Sequence, residues 1–404
     1  MRTILGGRLT VPQTWDLATI DEIKSSEPNS CRSGPFGSSI SRKYFVDEGV
    51  PVIRGSNLRD DLTRFVADEF VYVTEERTRE KYRACVVQAG DLVFTCWGTI
   101  GQVGIIPEEG PFEQYVVSNK QLKLRVDQKR VDPLFLYYQL SSADGVAYIN
   151  SRAKGTAVPG INLGILKSIE VAVPPLQVQK DIVRILSAYD DLIECNNRRM
   201  ALLEESIHLL YREWFVYLRF PGHERVEVVG GGPEGWGRVT LGDILTLKRG
   251  YDLPKRARVP GNVPIVSSSG ITGSHHKAKA PAPGVVTGRY GTLGQVYFID
   301  QEFWPLNTAL YVRDFKGHSP QFCYALLTNH LDGADGGKAA VPGVNRNALH
   351  KLPVLQPPPA VEDGFTEVAK GVLETIRALR VQNEKLREAR DLLLPRLMDG
   401  RIPV

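Results

Sequence analysis

The sequence predicts an α+β protein in which two pseudo-symmetric globular α/β modules are separated by two long antiparallel helices forming a coiled coil. Three observations predict it. An internal repeat covers most of the 404 residues, a heptad seam closes each copy of the repeat, and strand-like runs broken by turn residues precede each seam.

The repeat is read from paired motifs. Pro12-Gln-Thr-Trp15 with Thr19, Ile20 and Ile23 returns as Pro233-Glu-Gly-Trp236 with Thr240, Leu241 and Ile244, and Val50-Pro-Val-Ile53 returns as Val263-Pro-Ile-Val266. Gly98-Thr-Ile-Gly-Gln-Val103 answers Gly291-Thr-Leu-Gly-Gln-Val296, and Ala157-Val-Pro-Gly-Ile-Asn162 answers Ala340-Val-Pro-Gly-Val-Asn345. The offset between partners shrinks steadily along the unit, which places the length differences inside the globular parts and leaves the framework shared.

Each copy closes on a long helix. After Pro174-Pro175, apolar residues occupy two interleaved series: Ile182, Tyr189, Asn196, Leu203, Leu210 and Leu186, Ile193, Met200, Ile207, Trp214. After Pro357-Pro358-Pro359 the series are Phe365, Val372, Leu379, Leu386, Leu393 and Ala369, Ile376, Asn383, Arg390, Leu397. This 4-3 alternation is that of a coiled-coil seam and not of a wide core-facing stripe. Prolines suit the first helical turn, where the missing N–H is not needed, and Pro395 should kink or end the last turn. About 40 residues at 1.5 Å each make rods of about 60 Å. Each seam holds one central asparagine. Asn196 and Asn383 either meet, fixing the register of an antiparallel pair at some cost in stability, or each turns to solvent through a local shift of the seam.

Ahead of the first helix, Val86 to Phe94, Val103 to Ile106 and Leu122 to Val126 read as strands and Leu134 to Ser141 as a short helix; the second module repeats the plan. The expected domains are 1–175, the helix 176–219, 220–359 and the helix 360–404, with a turn-rich linker from Phe220 to Pro233. Trp15 and Trp236 read as core anchors at the module entrances.

Composition narrows the class without choosing within it. With 42% hydrophobic and 24% charged residues the chain should fold, and a net charge of +4 permits nucleic-acid binding without demanding it. The basic run Lys248 to Arg258 is the local exception. Five scattered cysteines, never spaced as CxxC, suggest neither a disulfide framework nor a zinc site and fit a reducing cytoplasm. No signal-like start or membrane-length apolar run is present, so a cytoplasmic location is expected.

These linked motifs resemble the specificity subunits of Type I restriction–modification systems along nearly the whole chain. The resemblance rests on the Pro-x-x-Trp opening with Leu241-Gly-Asp-Ile244, the Gly-Thr-Ile/Leu-Gly turn, the Val-Pro-Gly-Ile/Val-Asn stretch, the Pro-Pro-Leu-Gln helix entry and the Leu393-Leu-Pro-Arg-Leu397 ending. It implies two target-recognition domains that each read one half of a bipartite site in double-stranded DNA, with paired helices setting the spacer. It implies two DNA methyltransferase subunits as partners, carrying S-adenosylmethionine, and restriction subunits supplying ATP/Mg-driven translocation and cleavage. No cofactor, metal or catalytic residue is expected on this chain. The second module is nearer the family's pattern in Lys248-Arg-Gly-Tyr-Asp-Leu-Pro254, where the first has Cys31-Arg-Ser-Gly-Pro-Phe-Gly37, so the two should read different bases.

Cations that neutralise phosphates and side chains that reach base edges are the candidates for DNA contact. In the first module they are Arg42, Lys43, Arg54, Ser56, Asn57, Trp97 and Thr99. In the second they are Lys248, Arg249, Tyr251, Lys255, Arg256, Ser268, Ser269, His275, His276, Lys277, Arg289, Tyr290 and Thr292. The competing reading for any of them is ordinary solvated surface. The Gly-Thr-x-Gly segments are better explained as tight turns than as phosphate loops, and His275-His276 as a polar loop than as a metal site. Asp190-Asp191 reads as a solvated or partner-facing pair. Two rivals stand beside this reading. A stand-alone DNA methyltransferase is opposed by the lack of an Asn/Asp-Pro-Pro-Tyr/Phe motif, since Val173-Pro-Pro-Leu176 lacks both amide and aromatic. A coiled-coil scaffold for non-DNA ligands is opposed only by the basic run.

Overall fold

The computed structural model describes residues 1–59, 61–67, 70–155, 159–229, 232–289, 294–331 and 344–404. The chain divides into two compact units, residues 1–193 with 385–404, and residues 194–384, so both long helices cross the division.

In the first unit, antiparallel strands run in the order Cys31–Ser33, Gln121–Leu124, Leu92–Thr95, Val103–Ile105. A second sheet orders Val71–Val73, Val50–Ile53, Tyr115–Val117 and Val86–Val87, with Val50–Ile53 and Tyr115–Val117 parallel. Asp16–Thr19 pairs antiparallel with Glu170–Val173, which brings the entrance of the module beside its exit. The run expected as one strand from Val86 to Phe94 is instead two strands in different sheets. Gly90 turns between them at φ +80°, with the Gln88 N–H donating to the Asp91 carboxylate.

The second unit repeats this wiring, with three strands in place of four in the second sheet. Thr246–Arg249, Ala309–Asp314, Gly284–Gly288 and Val296–Ile299 form the four-stranded antiparallel sheet in the same order. Val263–Ser267 runs parallel to Trp304–Pro305, and Gly237–Thr240 closes the module against Pro353–Gln356. Short helices after the entrance strands begin with the same device. The Thr19 hydroxyl and backbone N–H donate to Glu22, and those of Thr240 donate to Asp243.

The long helices span Leu176–Tyr211, extended by a π turn over Arg212–Val216, and Pro359–Met398. In the first unit Ile182, Leu186, Leu394, Leu397 and Met398 join the core around Trp15, Ile20 and Phe135. In the second, Ile207, Tyr211 and Phe215 meet Phe365 and Ala369 over Phe322 and Leu241. Fully burying each such side chain stabilises by about 1.5–3 kcal/mol. Ile182, Leu186, Ile193 and Ile207 follow the expected seam, but Tyr211, Phe215, Leu394 and Met398 are buried outside it. The stripe widens there because each helix end also covers a module.

The two asparagines meet. Asn196 Nδ2 donates to Asn383 Oδ1 at 2.9 Å, Asn383 Nδ2 donates to Asn197 Oδ1 at 2.9 Å, and both side chains are buried. The reading of Asp190-Asp191 as a solvated or partner-facing pair is corrected for Asp190. Asp190 accepts from Arg390 at 2.6 Å and from the Tyr138 hydroxyl at 2.5 Å, and only 9% of its side chain is exposed; Asp191, 63% exposed, accepts from Arg64 at 2.9 Å. Burial first, and then the Asp190 charge, hold the Tyr138 phenol protonated well above its usual range. Pro395 lies one turn before the helix stops at Met398. Among the described residues no helix is long and apolar enough to cross a membrane.

Candidate nucleic-acid interface

In the first module Arg54, Ser56, Trp97 and Thr99 line one open concavity of about 450 Å³. Arg54 and Ser56 follow the Val50–Ile53 strand, while Trp97 and Thr99 sit on the turn between Leu92–Thr95 and Val103–Ile105. Gly98 and Gly101 take φ near +94° and +95°, which marks a tight connection between strands. Trp97 is 46% exposed and lies flat on Gly160, where an added Cβ would come within 2.6 Å of its ring. Arg42 and Lys43 are exposed on a neighbouring turn, with Lys43 Nζ 4.6 Å from the Tyr44 ring; Lys43 first, and then the Arg77 guanidinium, hold the Tyr44 phenol below its ordinary pKa. Asn57 is corrected: it is fully buried, its Oδ1 accepts from the Arg54 backbone and its Nδ2 donates to the Val66 carbonyl. Its amide shapes the turn that carries Arg54 and is not presented to a ligand.

In the second module the basic run divides into two groups. Lys248 Nζ donates to the Tyr251 hydroxyl at 3.1 Å, and that hydroxyl lies 3.2 Å from the one on Tyr311. The Tyr311 contact and then Lys248 pull the Tyr251 phenol below its usual range. Arg249, Lys255 and Arg256 are exposed, with Arg249 3.8 Å from Asp252. Ser268 is half-buried and Ser269 exposed at the hairpin following Val263–Ser267, and His276 and Lys277 are exposed beyond Gly270–His275. Partial desolvation, then His275 and Lys277, holds His276 below the ordinary histidine value. His275 is corrected. It is buried, stacked edge-on to Trp304, and its Nδ1 bonds the Val259 backbone, so it is a packing residue. Arg289 is half-buried, its backbone N–H donating to the Thr308 carbonyl. Tyr290 and Thr292 lie outside the described residues, as does most of the second Gly-Thr-x-Gly segment. No group of three metal-ligating side chains occurs among the described residues.

Sequence reasoning missed Asn119 and Lys120, which line the same concavity as Arg54 and Trp97, and Lys279, whose Nζ sits 5.4 Å from the Trp304 ring and 5.7 Å from that of Tyr251. The strand registers supply the signal for the first of these. Val52 pairs Val116 as Ile265 pairs Trp304, which makes Asn119 the counterpart of Asn307. Asn119 Nδ2 donates to the Gly37 carbonyl, and Asn307 Nδ2 donates to Asp252, so each ties the sheet to the loop after the first sheet strand. Gly34 and Gly250 open those loops. An added Cβ would stand 1.9 Å from the Ser118 carbonyl oxygen in one and 2.2 Å from that of Leu306 in the other.

Comparison with known proteins agrees with this doubled architecture. The family described as Type I restriction modification DNA specificity domain matches residues 14–205 and 233–362. The MjaVIII Type I restriction enzyme specificity subunit of Methanocaldococcus jannaschii is 25% identical over 251 residues, 60% of this chain and 52% of its own length. The MjaIX specificity subunit is 25% identical, over 61% of this chain and 55% of its own. The chain thus spans about half the length of these two relatives. A putative MjaX specificity subunit of the same organism is 22% identical over 98% of this chain and 95% of its own. The crystal structure of a Type I restriction-modification S subunit from M. genitalium has the same fold, with a TM-score of 0.52 and 16% identity over 98% of this chain and 99% of that one. With one match on each half, the chain belongs to the Type I restriction modification DNA specificity domain family.

Proposed function

We propose that the protein is the DNA-specificity subunit of a Type I restriction–modification complex. Each module reads one half of a bipartite site in double-stranded DNA, and the helices set the spacer. The observation that carries this reading is the repeated wiring: the same sheet order and the same parallel strand pair recur, while the loops hung on them carry different side chains. A duplicated reader matches two half-sites at a set separation.

Arg54 and Lys120 in one module and Lys255 and Arg256 in the other supply phosphate contacts, and Ser56, Trp97, Thr99 and Ser269 face the bases. The chain itself catalyses nothing. Methyltransferase subunits bearing S-adenosylmethionine and restriction subunits using ATP/Mg dock on it in the cytoplasm and perform the chemistry. Mapping methylated positions in DNA from cells expressing the assembled complex tests the reading directly. Two short motifs at a fixed gap are expected, and a single motif, or no motif, sinks it. In gel-shift titrations Lys120→Ala and Lys255→Ala should each reduce the slope of log affinity against log salt by about one. Methyl transfer by the isolated chain would overturn the non-catalytic role.

A further inference from the structure

Phe36 is 95% exposed, more than any other large apolar side chain among the described residues, although phenylalanine is normally a core residue. Its backbone is nevertheless held from behind. The N–H of Gly34 donates to the Gln121 carbonyl at 2.9 Å, and the Ser39 N–H and hydroxyl both donate to the Phe36 carbonyl, at 3.1 and 2.6 Å. The Ser39 carbonyl in turn accepts from the hydroxyl of the buried Tyr82 at 2.6 Å. An apolar ring is therefore presented on a fixed loop with nothing of this unit covering it.

Charge indicates what covers it. Between Glu27, which is paired with Arg125, and Asp47-Glu48 before the next strand, the chain has Arg32, Arg42 and Lys43 and no carboxylate. Through Asn119 the loop is joined to the concavity of Arg54, Trp97 and Lys120. The corresponding loop of the second module, after Gly250, carries Lys255 and Arg256. A polyanion fits both surroundings. A phenyl ring has no hydrogen-bonding group, and in the major groove the apolar group offered by a base pair is the thymine C5 methyl.

We propose that Phe36 is a specificity-determining residue that contacts a thymine methyl in the half-site read by the first module; this rests on the DNA reading above. The test uses the full chain assembled with its methyltransferase partner, on duplexes carrying the mapped site. Each thymine of the first half-site is replaced in turn by deoxyuridine, which removes only the methyl. One replacement should weaken binding by wild type about fourfold, the value of one buried methyl-sized group, and should have no effect on Phe36→Ala. Phe36→Leu should retain the sensitivity. Discrimination in the second half-site and the salt slope should be the same in all three proteins. The proposal is overturned if deoxyuridine affects wild type and Phe36→Ala equally, or if the first half-site has no thymine on either strand. It is also overturned if Phe36→Ala weakens all sequences alike, the behaviour of a non-specific wedge. If wild type binds no duplex at all, the DNA reading itself fails.

Discussion

Both junctions have an apolar core and a buried polar contact, but different groups meet across the helix pair. In the unit of residues 1–193 and 385–404 they are Asp190 and Arg390. In the unit of residues 194–384 they are aromatic rings, and the buried Glu362 instead joins His318 and the Ser319 N–H of the module. Arg390, 4% exposed, bonds Asp190, which also accepts from Tyr138 and lies 3.4 Å from Arg64 Nε. At the other junction Tyr211, Phe215, Phe322 and Phe365 meet with ring centroids 4.9 to 6.1 Å apart. The aromatic junction stabilises through area removed from water and tolerates small shifts. The charged junction returns little net stability after desolvation, but it is satisfied in one geometry only. Across the helix pair itself, the buried contact is therefore directional in one unit and a matter of bulk in the other.

The sharpest way to break this contrast is to remove one partner at each junction. Arg390→Ala should cost about 3–5 kcal/mol by leaving Asp190 under-compensated in the interior. Phe365→Ala should cost a similar amount by opening a cavity. Hydrogen exchange read by mass spectrometry should show protection lost in residues 1–193 for the first variant and in residues 194–384 for the second. The quadruple change Arg64→Met, Tyr138→Phe, Asp190→Leu, Arg390→Met, which also removes the buried hydroxyl that Asp190 and Arg64 hold, should be close to neutral. If it is as damaging as Arg390→Ala alone, the charges do more than align the ends.

A smaller effect tests where the modules are alike. Gly34→Ala and Gly250→Ala each drive a methyl onto a backbone carbonyl that cannot rotate away, and each should destabilise by about 2–3 kcal/mol in chemical denaturation. Gly371→Ala is the control. Nothing lies within 4 Å of its added methyl in the helix interior, so a gain of about 0.5–1 kcal/mol is expected. Unequal losses at Gly34 and Gly250 would end the claim that the two loops are structural equivalents.

The central asparagines give the next step down. Asn196→Leu alone leaves the Asn383 amide short of a buried partner and should cost about 1–3 kcal/mol. Changing both to leucine should recover that loss and weaken the preference for one register. Thermal unfolding separates the single from the double variant, and a double as unstable as the single would show that the pair does not act together.

What was legible in the sequence was whatever repeats locally. The heptad series placed Ile182, Leu186 and Ile207 on the buried face, and the Pro-x-x-Trp pairs placed Trp15 and Trp236 at the module entrances. What was not legible depends on partners distant in the chain. Asp190 and Arg390 are 200 positions apart, so nothing near either marks the other. Gly34 and Gly250 share no flanking residue, and their common role is visible only where Ser118 and Leu306 cross them. Asn57 and His275 are residue types that bind DNA when exposed, and burial, which composition does not encode, decided against both.

The smallest effect concerns the capping boxes, where the modules use different acids for one purpose. Thr19 donates its backbone N–H and hydroxyl to Glu22, holding that carboxyl below its ordinary value, and the Thr240 hydroxyl and N–H do the same to Asp243. Both folded pKa values are depressed. The stabilisation is therefore complete above the unfolded values, near 4.5 and 3.8, and is lost as pH falls through the lower folded ones. Carboxyl titration by NMR should show both groups titrating below their unfolded values, and Glu22→Gln or Asp243→Asn should each flatten the acid limb of the stability curve. A normal titration at one position and a depressed one at the other would mean that the two entrances share a sequence pattern without sharing its chemistry.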